Sequence, residues 1–212
     1  MTTPTHLIPE ELLLSYAAGT AGEALSLLAA CHLTLSPESR AHLDTLEAVG
    51  GELLAELPGA ELAPGSLEAM LARLDEPAPA PRPVPTGDPI FPAPLRRLMG
   101  PQPRWRKVWP GVQVLDLPLH YGPQQVRLTR LAPGIEIPRH THGGQEYNLV
   151  LQGGFSDRGA DYLRGDVAVA DDTVEHHLDI HDDGECITLV LLDSPLVPRS
   201  LKGTIAHWIT GI

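Results

Sequence analysis

The chain has 212 residues, enough for one or two domains, and its 42% hydrophobic content is ordinary for a globular protein. No apolar run is long enough to span a bilayer, the start MTTPTHLIPEE lacks a secretory signal pattern, and Cys31 and Cys186 form no CxxC pair. A cytoplasmic protein without a membrane segment or a disulfide framework is therefore expected. The formal charge of −12 is uneven: residues 1–76 carry twelve acidic and two basic side chains, residues 77–212 fifteen and thirteen. The first third repels nucleic acid and suits a basic partner.

That first third reads as helical. Pro9-Glu10-Glu11 opens a helix carrying Leu12, Leu13, Tyr16 and Ala17, and Gly19 ends it. A second helix runs from about Gly22 to Leu33, with Leu25, Leu28, Ala29 and His32 on one stripe. Ser36-Pro37-Glu38 caps a third, which continues through Ala48 or beyond. Leu43, Leu46, Val49, Leu53 and Leu54 are its core candidates, and Gly50-Gly51 is expected to break or kink it. Ser66 caps a fourth segment, LEAMLARL. Three or four helices in so short a stretch make a marginal core that needs a partner.

The proline-rich run from Glu76 to Pro94 reads as a semi-rigid spacer. The expected division is a helical unit at 1–76, a linker at 77–94 and a β-rich unit at 95–212. In the last, Val112–Leu117, Gln125–Leu131, Tyr147–Leu151, Asp166–Ala170 and Ile187–Leu192 are short alternating or β-branched runs between Gly and Pro turns, the texture of an antiparallel barrel or jelly roll.

Within it, GIEIPRHTHGGQEYNLVLQG (134–153) concentrates metal-ligand chemistry. His140 and His142 are two apart, so on a strand both imidazoles share a face. Gly143-Gly144 turns the backbone and brings Glu146 back to the same space. A fourth donor is sought in DDTVEHHLDIH (171–181), which offers His176, His177 and His181. The sequence alone barely separates His176 from His177. Three imidazoles and a carboxylate suit one divalent ion, with zinc the first expectation and Fe, Mn, Ni or Cu compatible.

Elsewhere, Cys186 in ECITLVLL reads as a buried thiol, and Trp105, Trp109 and Trp208 as packing at the barrel ends. Arg104, Arg106 and Lys107 form a small solvated basic cluster.

The pattern Gly134, His140, His142, Glu146, Gly153 resembles the first motif of the cupins, and the Gly165-Asp166 turn ahead of His176 resembles their second motif. This resemblance implies a small jelly-roll barrel with a metal in its mouth and favours His176 as the fourth ligand. An acidic helical unit joined to a cupin is more closely similar to the ChrR-type zinc anti-sigma factors. SYAAGT (15–20), AACHLTLS (29–36), AVGGELL (48–54), RWRKVWPGV (104–112) and LVLQGGFSD (149–157) carry that likeness along nearly the whole chain. It implies a two-domain protein, an all-α anti-sigma-like domain plus an all-β cupin. The helical domain would inhibit a group IV (extracytoplasmic-function) sigma factor, and the cupin would respond to singlet oxygen or related oxidants. It implies no direct nucleic-acid contact, and a dimer through the cupin is compatible with it.

In that family the helical domain binds zinc through two histidines and two cysteines. The matching positions here are His6, His32, Ser36 and Ser39. Serine hydroxyls are poor zinc ligands, so zinc there is expected to be absent or weak. Ser36 then serves as a helix cap, His32 as a buried hydrogen-bonded ring and His6 as an exposed one. The alternative is a metal-dependent cupin enzyme, a dioxygenase or isomerase with a helical oligomerisation arm. No acid/base motif beyond the ligand set stands out, so no catalytic residue is assigned.

Overall fold

The computed structural model describes residues 3–78, 87–100, 102–194 and 196–198. Trp208 and the centre of the proline-rich run lie outside these residues. The N-terminal part forms α1 (Glu10–Ala17), α2 (Glu23–Leu35), α3 (Pro37–Ala55) and α4 (Ser66–Ala72), the last continued by a 3-10 turn over Arg73–Asp75. Ser36 caps α3 as its sequence suggests: its hydroxyl accepts from the Ser39 amide.

Three local expectations are corrected. α3 runs unbroken through Gly50-Gly51 to Ala55, because two glycines weaken a helix by only ~1 kcal/mol each and its hydrogen-bond ladder stays complete. Val49, Leu53 and Leu54 are exposed, at 56%, 62% and 69%, because no described element packs on that half of α3. α4 is preceded by Gly65 in the left-handed conformation as its N-cap, while Ser66 is already helical and its hydroxyl donates back to Ala63.

A fifth helix, α5 (Ala93–Met99), follows Pro92 and has no counterpart in the sequence reading. Its Leu95 is fully buried and it packs against α2.

The described residues that follow form eleven strands: β1 (Arg106–Trp109), β2 (Val112–Tyr121), β3 (Gln124–Leu131), β4 (Glu136–His142), β5 (Glu146–Gln152), β6 (Gly154–Asp157), β7 (Ala160–Leu163), β8 (Val167–Ala170), β9 (His176–Ile180), β10 (Cys186–Leu192) and β11 (Leu196–Pro198). They form two antiparallel sheets, one in the order β1-β2-β3-β10-β5-β8 and one in the order β11-β4-β9-β6-β7. This is the two-sheet antiparallel arrangement that the resemblance implies. Trp105 lies beneath the Arg130 guanidinium, 4.3 Å from the ring centre, while Arg104, Arg106 and Lys107 are exposed.

The helices complete their core on the first sheet. α2 is buried nearly all round through Ala24, Leu27, Leu28, Ala29, Cys31 and Leu33, and it contacts β2 and β10 as well as α1, α3 and α5. One apolar cluster joins Leu13 and Leu28 to Leu95, Leu117, Leu128, Leu149, Leu151, Ile187, Leu189 and Leu191. Residues of the opposite parity, Val150 and Cys186, belong to a second cluster between the sheets with Phe155, Tyr162, Leu178 and Ile180. β5 and β10 are thus buried on both faces, which is why they read as continuous apolar runs.

Leu28→Ala, in the cluster shared by helices and sheet, should lower stability by about 2–5 kcal/mol. Leu53→Ala on the open half of α3 should change it by less than about 0.5 kcal/mol. Urea unfolding of both variants checks the contrast.

Candidate metal centre

Two sheets build this site. β4 and β9 pair with His140 opposite His176, and β4 ends at His142, so the second sheet contributes three imidazoles. Glu146 is the first residue of β5 in the other sheet, where it stands opposite Ala170 and Leu192. In the connection, Gly144 lies close against the Asp193 carboxylate. All four side chains are nearly sealed from water, His140 at 6%, His142 at 1%, Glu146 at 6% and His176 at 3% exposure.

Ligand atoms of His140, Glu146 and His176 lie within 4.8 Å of one another. The Nε2 atoms of His142 and His176 are each 3.4 Å from the same oxygen, Glu146 Oε2. The second nitrogen of every ring is engaged. His140 Nδ1 donates to the Pro138 carbonyl at 2.9 Å, His142 Nδ1 to the Gly144 carbonyl at 2.8 Å, and His176 Nδ1 to the Asp157 carboxylate at 3.0 Å. These bonds orient the three rings and turn each Nε2 inward. His142 Nε2, His176 Nε2 and Glu146 Oε2 are buried without a hydrogen-bond partner.

The electrostatics ask for positive charge. Burial opposes charge on Glu146, but the close imidazoles of His142, His176 and His140 prevail and hold its carboxyl far below the usual range. Burial likewise opposes charge on His176, but Asp157 and Glu146 outweigh it and push the ring up to about 9. His142 is also raised, Glu146 overcoming its burial, whereas burial holds His140 down. Glu146, Asn148, Asp157, Ala168, His176 and Leu178 line a narrow crevice beside the group.

His177 faces outward on β9, with Nε2 3.3 Å from Asp179, and His181 hydrogen-bonds Ser156 at 3.1 Å. Strand alternation therefore separates His176 from His177. Asp157 was not foreseen. The signal available was its strand parity, two residues beyond buried Phe155 on β6.

Residues 101–194 match the family described as the ChrR Cupin-like domain. Over 197 residues the chain is 40% identical to Anti-sigma-E factor ChrR of Cereibacter sphaeroides, covering 92% of both proteins. The chain belongs to the ChrR family. The crystal structure of Rhodobacter sphaeroides SigE in complex with the anti-sigma ChrR also matches, at 37% identity and a TM-score of 0.77 over 90% of this chain and 100% of that one.

Within the ChrR family frame, the N-terminal positions of interest are His6, His32, Ser36 and Ser39. His32, Ser36 and Ser39 are buried together, at 0%, 0% and 2% exposure. His32 Nδ1 donates to the Gly165 carbonyl at 2.9 Å, and its Nε2 accepts from the Ser39 hydroxyl at 2.8 Å. The Ser36 hydroxyl in turn donates to Ser39 at 3.0 Å. His6 is half-buried rather than exposed. Its ring lies 4.3 Å from that of Tyr162, and its Nδ1 is 3.8 Å from Asp166.

Burial, against the pull of Gly165 and Asp166, holds His32 below its ordinary 6.5. With the folded value depressed, the unfolded chain takes up the proton first, so the stabilisation from neutral His32 is complete above the unfolded pKa and is lost as pH falls below it. The stability gap between wild type and His32→Gln should therefore narrow as pH falls below about 6.5, read by denaturant unfolding.

Proposed function

We propose that this chain is an anti-sigma factor whose acidic helical unit, residues 1–76, binds a group IV sigma factor, while its cupin, residues 95–212, holds a divalent metal and answers oxidants. Residues 77–94 link the two. The relationship to Anti-sigma-E factor ChrR over nearly the full length carries this reading. The surface agrees with it. Leu53, Leu54, Leu57, Leu67, Met70, Leu71 and Leu74 are 52–76% exposed along the second half of α3 and α4. Such a run of large apolar side chains marks an interaction face. Glu47, Glu52, Glu56, Glu61 and Glu68 are exposed along the same stretch of chain and give it a negative charge suited to a basic partner.

The residues of the candidate centre fit a divalent ion. Buried polar atoms without partners are rare, and here two imidazole nitrogens and a carboxylate oxygen share one place. His140, His142, Glu146 and His176 would hold the ion; the N/O donor set accepts Zn, Fe, Mn, Ni or Cu, with zinc the first expectation. A divalent ion there supplies the positive charge that the buried carboxylates of Glu146 and Asp157 favour. Asp157 orients His176, and the Pro138 and Gly144 carbonyls orient His140 and His142.

Oxidant sensing falls to this centre because the thiols are poorly placed for it. Burial pushes both Cys31 and Cys186 up to about 12, so neither is a thiolate at neutral pH. An oxidant that altered an imidazole ligand would disturb β4 and β9 together, since His140 and His176 face each other across them.

In binding assays with the group IV sigma factor encoded beside this gene, the full chain should bind. The double variant Leu53→Asp and Leu71→Asp should weaken binding at least about tenfold without changing stability. No binding by the wild-type chain overturns the assignment. The purified chain should carry about one equivalent of metal by elemental analysis, and Asp157→Ala should lower metal affinity about 10–100-fold in chelator competition.

A further inference from the structure

The first residues of the chain are bound to the cupin through one turn. The Asp166 carboxylate accepts from the amides of Thr5 and His6 at 2.6 and 2.8 Å through Oδ1. Its other oxygen accepts from Leu163 at 2.7 Å and so closes its own turn. The Val167 amide donates to the His6 carbonyl at 2.9 Å, continuing the contact into β8. Gly165 has φ +96°, and a Cβ there would lie 2.6 Å from Pro4, so the turn must be glycine for the arm to seat.

The same turn reaches α2. Gly165 accepts from His32 Nδ1, and His32 Nε2 accepts from Ser39 and, at 3.4 Å, from the Ile8 amide. The hydrogen bonds run in one direction, Ser36 to Ser39 to His32 to Gly165. Both ring nitrogens are committed and the two neighbouring oxygens are hydroxyls. These residues do not fit the zinc that the family resemblance implies.

We propose that the Gly165-Asp166 turn of the cupin is the staple that holds the arm Pro4–Ile8 to α2 in this chain, and that it does so without a metal. Where a zinc would clamp the arm to the helix from within the helical unit, here the clamp comes from the other domain. The cupin is then a structural part of the helical unit as well as a neighbour. Glu146 stands opposite Ala170 at the far end of β8, so the turn and the candidate metal centre lie at the two ends of one strand.

Residue-resolved amide hydrogen exchange on the full chain tests this, and because no sigma factor is present the result is independent of the anti-sigma reading. In wild type, the amides of Thr5, His6 and Ser39 should stay protected before and after treatment with a strong zinc chelator. Asp166→Ala should speed exchange at residues 5–8 about tenfold or more while leaving the central amides of β10 unchanged. Because Asp166 also closes its own turn, Thr5→Pro serves as the second variant. It removes one donor and leaves the turn intact, and it should loosen His6 in the same direction. A chelator that releases the arm in wild type, or a Thr5→Pro chain with wild-type protection at His6, overturns the proposal.

Discussion

A histidine ring shut away from water needs a partner at both nitrogens, and this constraint organises both ends of the molecule. In the cupin, two backbone carbonyls and Asp157 occupy the Nδ1 atoms of three rings. The inward nitrogens of His142 and His176 then meet one oxygen of Glu146, and none of those three atoms has a hydrogen-bond partner. At the helical end, His32 satisfies both nitrogens through Gly165 and Ser39. One arrangement leaves donor atoms facing one another, as a cation requires. The other is complete as it stands.

The packing of α2 decides what remains on the surface. Buried between α1, α3, α5 and the first sheet, it takes the apolar faces that a small helical unit would otherwise have to match by itself. The first half of α3 packs there through Leu43 and Leu46, and the second half extends beyond it. The leucines of that second half and of α4 consequently remain open in an acidic surrounding. Stability and availability for a partner are divided along a single helix.

The thiols belong to the same economy of burial. Cys31 lies in the helix–sheet cluster and Cys186 between the sheets, each surrounded by apolar side chains that disfavour the thiolate. The polar chemistry of the molecule is left to imidazoles and carboxylates. Those gather where the two sheets approach at the ends of β4, β5 and β9.

Much of this was legible in the chain itself, because it rests on local geometry. Pro9, Gly22 and Ser36 mark helix starts, alternation marks β3 and β8, and the two-residue step from His140 to His142 places both rings on one face. Set beside the histidine and cysteine pattern that the family resemblance implies, Ser36 and Ser39 stand where thiolates are expected. Three-dimensional structure was needed wherever the deciding neighbour is distant in sequence. Leu53 and Leu54 look like core until it is seen that no described residue covers them. α5 is hidden behind prolines and held by α2. Asp157 and Asp166 look like ordinary turn acids until the first meets His176, 19 residues on, and the second meets Thr5, 161 residues before it. Residue type and spacing determine which side chains are able to act together; the pairing of strands and the packing of helix on sheet decide which of them meet, because burial and contact depend on elements that no local stretch of chain contains.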